Sequence, residues 1–201
     1  MWDDRYGEPD FAYGTKSNDF LAESWPGLGL AQGSKVLMLA EGEGRNAVFL
    51  AEEGMNVTGV DLSAVGLEKA KQLASERGVS IVTIQADLAE FDMGSEQWDA
   101  IVGIFCHLPP PLREKVLGAI PEALKPDGCF VLECYTPAQI EYKTGGPPNA
   151  ALMYSKDILA AAFEGKLNME RNEELIRDVV EGKYHTGKAA VVQFIGRKPT
   201  K

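Results

Sequence analysis

Five short apolar runs rich in β-branched residues set the frame of this chain: KVLMLA (35–40), NVTGVD (56–61), SIVTIQ (80–85), DAIVGIF (99–105) and CFVLECY (129–135). Helical patterns separate them, and strands that alternate with helices build βαβ units around a parallel sheet. Between the first two runs, RNAVFLAEE places Ala47, Val48, Leu50 and Ala51 on one helical face, with Gly54 where a glycine stop is expected. Ser63 can cap a second helix through LEKAKQLASER, which ends at Gly78. Pro109 to Pro111 open a third helix, and LKPDG (124–128) is turn chemistry leading into the fifth run.

After Tyr135 the pattern changes. TPAQIEYKTGGPPNA reads as a loop and SKDILAAAFEG as a helix. ELIRDVV and AAVVQFIGR then read as two strands joined through EGKYHTGK by a turn of about 6–8 residues. The first 25 residues place Trp2, Tyr6, Phe11, Tyr13 and Phe20 among Asp, Glu, Gly and Pro, which suggests a small cap. A chain of 201 residues with 45% hydrophobic content is long enough for one well-buried domain and too short for a cofactor domain plus a separate catalytic domain. The expected organisation is a single domain over 1–201, with the cap at 1–25, a cofactor-binding core at 33–135, and a substrate-side loop, helix and hairpin at 136–201.

A formal charge of −10 works against a nucleic-acid partner and against anionic membranes, because both require a basic face. No apolar run approaches the length of a membrane span, and the acidic start MWDDRYGEPD lacks the apolar core of a secretory signal. Cys106, Cys129 and Cys134 have no CxxC spacing, so neither a disulfide framework nor a metal site is expected. Reduced thiols and a cytoplasmic location follow.

The first strand runs into AEGEGRNAVF (40–49), and from Gly42 onward GEGRNA fits the G-x-G-x-x-G/A loop of dinucleotide-binding proteins, with Asp61 at the spacing used for a ribose. Glu41 and Glu43 flank Gly42, however, and a carboxylate at 4 Å from a phosphate costs about 4 kcal/mol at an effective dielectric of 20. S-adenosylmethionine carries no phosphate. Its sulfonium and ammonium outnumber its one carboxylate, so acidic groups near the same loop become favourable. The glycines retain their steric role of close backbone approach, and Asp61 becomes the acceptor for the ribose hydroxyls.

Taken together, VLMLAEGEGR, VTGVD ending in Asp61, QADLAEFD, the strand DAIVGIFCHL and the turn LKPDG resemble the class I S-adenosylmethionine-dependent methyltransferases over roughly residues 33–135. The resemblance implies an enzyme with a Rossmann-like, doubly wound α/β fold, a mostly parallel seven-stranded sheet with one antiparallel strand. It also implies S-adenosylmethionine held by Ala40, Glu41, Gly42 and Gly44, by Asp61 with Leu62 at the ribose, and by Asp87 and Leu88 at the adenine. Two departures are Met38, where many members carry an acid, and Ala40, where they carry a glycine. Glu41 or Glu43 can then supply the missing charge toward the ammonium. Tyr6 and Tyr13 either line this pocket as a lid or dock the N-terminus.

EGKYHTGKAAVVQFIGRKP is similar to the end of the tellurite-resistance methyltransferases, themselves similar to the thiopurine methyltransferases. There the histidine matching His185 sits beside the transferable methyl, although an arginine follows it where this chain has Thr186. His107, in FCHLPPP after the fourth strand, is either a second site group or a buried histidine satisfied by backbone. Its neighbour Cys106 points to the opposite face of the strand. LPPP is not the Asn-Pro-Pro-aromatic motif of DNA amino-methyltransferases. Tyr184 and Lys188 fit a Tyr-x-x-x-Lys pair, which needs a helix that Gly182 and Gly187 oppose. The expected reaction moves a methyl group to a small-molecule nucleophile, a thiol or metalloid-type acceptor being favoured, with His185 and then His107 as candidate catalytic groups. The alternatives are a non-catalytic S-adenosylmethionine-binding module and a nicotinamide-dependent oxidoreductase.

Overall fold

A computed structural model describes residues 2–200; Met1 and Lys201, the ends of the expected domain, lie outside the described residues. The elements in chain order are α1 (Trp2–Tyr6), α2 (Asp19–Ser24), β1 (Lys35–Leu39), α3 (Arg45–Glu52), β2 (Asn56–Asp61), α4 (Ala64–Glu76), β3 (Val82–Gln85), β4 (Trp98–Ile104), α5 (Pro110–Ala123), β5 (Leu124–Tyr135), α6 (Gln139–Tyr142), α7 (Lys156–Phe163), β6 (Asn168–Glu181) and β7 (His185–Arg197). The sheet order is β3-β2-β1-β4-β5-β7-β6. β1 to β5 pair in parallel and β7 runs antiparallel to both neighbours.

The five apolar runs become the five parallel strands; β1, β2, β4 and β5 are covered on both faces, and β3 is an edge strand with Val82 and Ile84 exposed. Val36, Met38, Ala100, Val102 and Val131 pack on one side against Phe20, Leu21, Ala47 and Leu50 from α2 and α3. Leu37, Leu39, Ile101, Phe130 and Leu132 pack on the other against Val116, Leu117 and Ile120 of α5 and Leu159 and Phe163 of α7. Near-continuous hydrophobic strands are what a doubly covered parallel sheet requires. The helix stops also fall where expected: Ser63 Oγ accepts from Gly66 N at 3.0 Å to cap α4, and Gly54 and Gly78 are left-handed.

Two expectations are corrected. LKPDG is part of β5 rather than a turn before it; Asp127 turns left-handed and the register with β4 shifts between Trp98 and Ala100. A Cβ on Gly128 would come within 3.2 Å of the carbonyls of Lys125, Trp98 and Asp99, so the irregularity needs glycine there. The C-terminal hairpin is longer than its apolar runs. β6 starts at Asn168, and the link to β7 is residues 182–184 instead of about 6–8 residues, so His185 opens a strand, paired with Glu181. β6 is an edge strand whose outer row faces solvent, so its charged residues dilute the alternation by which strands are read.

Candidate active site

Strand order reverses between β1 and β4, and in open α/β sheets ligands bind outside the carboxyl ends of the strands at such a point. The loop after β1 lies there. Ala40, Gly42 and Gly44 all have positive φ, at 52°, 64° and 93°. A Cβ on Gly44 would meet the Ala70 backbone of α4 at 2.6 Å, so this glycine lets α3 start against α4. Gly42 gives close approach to a ring: its added Cβ would lie 2.7 Å from Tyr6 Oη.

Asp61 ends β2 beside this loop and is buried. One carboxylate oxygen accepts from Gly42 N and the other from Ser63 N, each at 2.8 Å, so each oxygen keeps a lone pair for a further donor. Burial raises its pKa, and the backbone donors from Ser63 and Gly42 oppose that rise. Leu62 beside it is 57% exposed, Leu88 is buried, and Asp87 is exposed with its carboxylate accepting from Ala89 N at 2.8 Å.

The two loop glutamates have partners within the protein. Glu41 accepts from Ala47 N at 2.8 Å at the start of α3, and burial pushes its pKa up to about 8. Glu43 accepts from Lys69 Nζ at 2.9 Å and from Ala12 N at 2.8 Å, which ties the N-terminal segment to α4. The cations on the flanking helices are committed as well: Lys69 to Glu43, and Arg45 to Glu181 at 2.6 Å. Backbone, the carboxylates of Asp61 and Asp87, and the apolar Leu62 and Leu88 therefore make a set that accepts from hydroxyls and packs on a flat base, with the Lys69 and Arg45 cations already engaged. S-adenosylmethionine fits that set.

The second half of the site is aromatic. His185, buried at the start of β7, has the rings of Tyr13, Phe105 and Tyr135 at centroid distances of 4.5, 4.7 and 5.2 Å. Its Nδ1 is buried without a hydrogen-bond partner. Burial, with smaller contributions from Arg45, His107 and Arg5, takes its pKa down to about 3, so the imidazole is neutral near pH 7. His107 differs. It stacks on Tyr135 at 5.6 Å, its Nδ1 lies 3.2 Å from Leu152 O, and Tyr135 N donates weakly to its Nε2 at 3.5 Å. Backbone thus engages both of its ring nitrogens, and burial lowers its pKa to about 4.

A family described as "Methyltransferase domain" matches residues 36–128. The thiopurine S-methyltransferase of Pseudomonas putida is 27% identical over 62% of this chain and 66% of its own length. The ubiquinone biosynthesis O-methyltransferase of Erwinia tasmaniensis is 34% identical over 55% of this chain and 44% of its own. Residues 36–128 thus carry the sequence pattern of a methyltransferase domain. The chain spans about half to two thirds of the length of the first curated relatives it matches. Two solved structures have the same fold. A SAM-dependent methyltransferase from Methanosarcina mazei has a TM-score of 0.72 at 13% identity, covering 92% of this chain and 100% of that one. TehB from Haemophilus influenzae has 0.70 at 16%, covering 88% and 62%.

The N-terminal cap touches both halves of the site. Tyr6 is buried over Gly42, Ser63 Oγ donates to Asp3, and Tyr13 lies against His185. Tyr6 and Tyr13 are therefore divided between the loop and the cage. Behind the cage sits a charged network. Glu133, fully buried in β5, is held by Arg177 through Nε at 3.0 Å and Nη2 at 2.5 Å, by Asn18 Nδ2 at 2.7 Å and by Gln193 Nε2 at 2.5 Å. Asn18 also donates to Glu181 at 2.8 Å. Phe105, Tyr135 and this network are missing from the residues singled out in the sequence. Glu133 did carry a signal, as the one charge in the apolar run CFVLECY. Phe105 and Tyr135 read as core.

Proposed function

We propose that this chain methylates a small-molecule nucleophile, with a thiol or metalloid-type acceptor favoured, at the aromatic cage around His185. The observation that carries the reading is the unpartnered, buried Nδ1 of His185 at the same sheet edge as the Asp61 loop. S-adenosylmethionine supplies an already activated sulfonium methyl, which an acceptor lone pair takes by in-line displacement. The work left to the protein is alignment and exclusion of water. Asp61 and Asp87 hold the nucleoside end, backbone at 40–44 lies close to the rest, and Tyr6 covers the loop. His185 orients the acceptor as a neutral hydrogen-bonding group. With its pKa near 3 it is a weak base at neutral pH, so an acceptor's proton ends in solvent rather than on the imidazole.

The thiopurine S-methyltransferase likeness supports a soft acceptor, and the cage's polarizable rings suit one. The acidic balance supports a small molecule over nucleic acid. Among the described residues no helix is long and apolar enough to cross a membrane. The three cysteines are free, which supports a reducing, cytoplasmic setting.

The test is a screen of the purified protein for S-adenosylhomocysteine release with thiols, metalloid oxyanions, small amines and carboxylates. Turnover with a thiol or metalloid compound is expected. Binding of S-adenosylhomocysteine with no methylation in any class would make the chain a binding module. A melting shift with NADH and none with S-adenosylhomocysteine would overturn the cofactor assignment.

A further inference from the structure

We propose that Arg5 is a positioning residue for the methyl acceptor: it fixes Tyr13 as a wall of the His185 cage and so narrows which acceptors fit. The inference rests on the reading of that cage as the acceptor site. Between α1 and Tyr13 the chain runs through GEPDFA without regular structure. The backbone there is held by Lys69 Nζ donating to Glu8 O and Asp10 O, by Gly14 N to Phe11 O, by Ala12 N to Glu43, and by Lys183 N to Ala12 O at 3.1 Å. Those bonds place the Tyr13 backbone and leave the direction of its half-buried ring open.

The ring's direction comes from its far end, where Arg5 Nη1 donates to Tyr13 Oη at 2.8 Å. Arg5 is itself clamped, with its guanidinium 5.3 Å from the Trp2 ring and 4.9 Å from the Tyr184 ring. A planar guanidinium can stack on aromatic faces and donate in its own plane at the same time, which a lysine ammonium cannot do. Tyr184 precedes His185 in the chain, so the pin connects the N-terminal helix to the start of β7. The result is a Tyr13 ring held 4.5 Å from the imidazole. With Tyr13 held against the imidazole the space beside His185 stays narrow; a free Tyr13 would swing out and open it to branched groups.

The chain has only two histidines, so ring signals from histidine-labelled protein are assigned with one His107→Asn control. Tyr13→Ala should shift the His185 ring resonances, because an aromatic neighbour is lost. Arg5→Met should reproduce most of that shift and leave His107 in place, and Arg5→Lys should do so only in part less. An unmoved His185 signal in Arg5→Met, with Tyr13→Ala moving it, would overturn the proposal without any acceptor being known. The melting temperature of each variant shows whether it is folded, and Arg5→Lys keeps the test open should Arg5→Met unfold.

The kinetic arm uses a thiopurine and a branched aliphatic thiol as probes. Arg5→Met should raise KM for the thiopurine about tenfold with kcat within about threefold, and should narrow the preference between the two thiols. Adding Arg5→Met to Tyr13→Phe, which already lacks the accepting hydroxyl, should change nothing further; additive losses would show that Arg5 acts by another route. Failure of both thiols to react would count against the acceptor reading, while the histidine signals still decide the role of Arg5.

Discussion

Ala40 follows β1 in a left-handed turn at φ 52°, and Phe105 follows β4 in the same way at φ 51°. The two strands are neighbours where the sheet order reverses. Beyond Ala40, the proposed cofactor loop is built from backbone: glycines that allow close approach, and N–H groups of Gly42 and Ser63 that a single carboxylate, Asp61, gathers. Beyond Phe105, the site is made of side chains from distant segments, with Tyr13, Phe105, Tyr135 and His185 meeting over a buried ionic network. One half is set by local backbone geometry, and the other depends on long-range packing. Variants can break that contrast or sharpen it.

The largest effect should come from the network beneath the cage. Arg177→Met leaves Glu133 buried without its bidentate partner, and breaking a buried pair from one side costs about 3–5 kcal/mol. Urea unfolding measures it. A loss below about 1 kcal/mol would mean that the cage does not rest on this network, and the contrast between the halves would weaken.

Asp61→Asn tests the other half. It keeps an acceptor for one of the two backbone N–H groups, sets an amide NH2 against the other and removes the charge, so S-adenosylhomocysteine should bind about 30- to 100-fold more weakly, roughly 2–3 kcal/mol, by calorimetric titration. Stability should change less than affinity. Asp61→Ala is a poorer probe, because it also leaves the N–H groups of Gly42 and Ser63 without their acceptor. Unchanged affinity in folded Asp61→Asn would place the ribose elsewhere.

These two predictions draw on different kinds of sequence information. The parallel strands, the glycine loop and Asp61 were legible because each is local: an apolar run, a glycine spacing, an acid at a strand end. The partners of Glu41 and Glu43 were not, since their direction depends on where α3, α4 and the N-terminal segment pack. The cage was hidden for a related reason. An aromatic residue at the end of an apolar strand looks the same whether it fills core, as Phe130 does, or faces a site, as Tyr135 does. His185 was visible only through family likeness, and its burial became apparent once the hairpin turn proved to be three residues, 182–184.

The buried histidines give a smaller effect, with a definite sign. Both folded-state pKa values, about 3 for His185 and about 4 for His107, lie below the ordinary value near 6.5. Between these limits the unfolded chain binds the extra proton, so the stability contribution is complete above about pH 6.5 and is lost as pH falls toward 3. By pH 5 the loss is about 2 kcal/mol per histidine. His185→Gln should remove one share of that slope in urea unfolding at pH 5 and pH 7.5. The same low pKa means that turnover should show no limb near pH 6.5 from His185, and a limb that disappears in His185→Gln would make it a working base.

The smallest effect returns to the two left-handed residues. A non-glycine residue in this region carries a strain of roughly 1–2 kcal/mol, and glycine removes it while losing roughly 0.5–1 kcal/mol through greater freedom in the unfolded chain. Ala40 contributes only a methyl group to the packing around it, so Ala40→Gly should stabilise by about 0.5 kcal/mol, a rise in melting temperature of about 1–2 °C for a chain of this size. S-adenosylhomocysteine affinity should stay within about twofold, because the loop is defined by its backbone. Phe105→Gly relieves the same strain but deletes a ring that contacts His185 and Tyr135, so it should be a net loss. Differential scanning calorimetry on the two variants reads the difference directly. If both were stabilised, the Phe105 ring would be contributing nothing to the cage; if both were destabilised, the methyl of Ala40 would be packing as a core group and the backbone account of the cofactor half would fail.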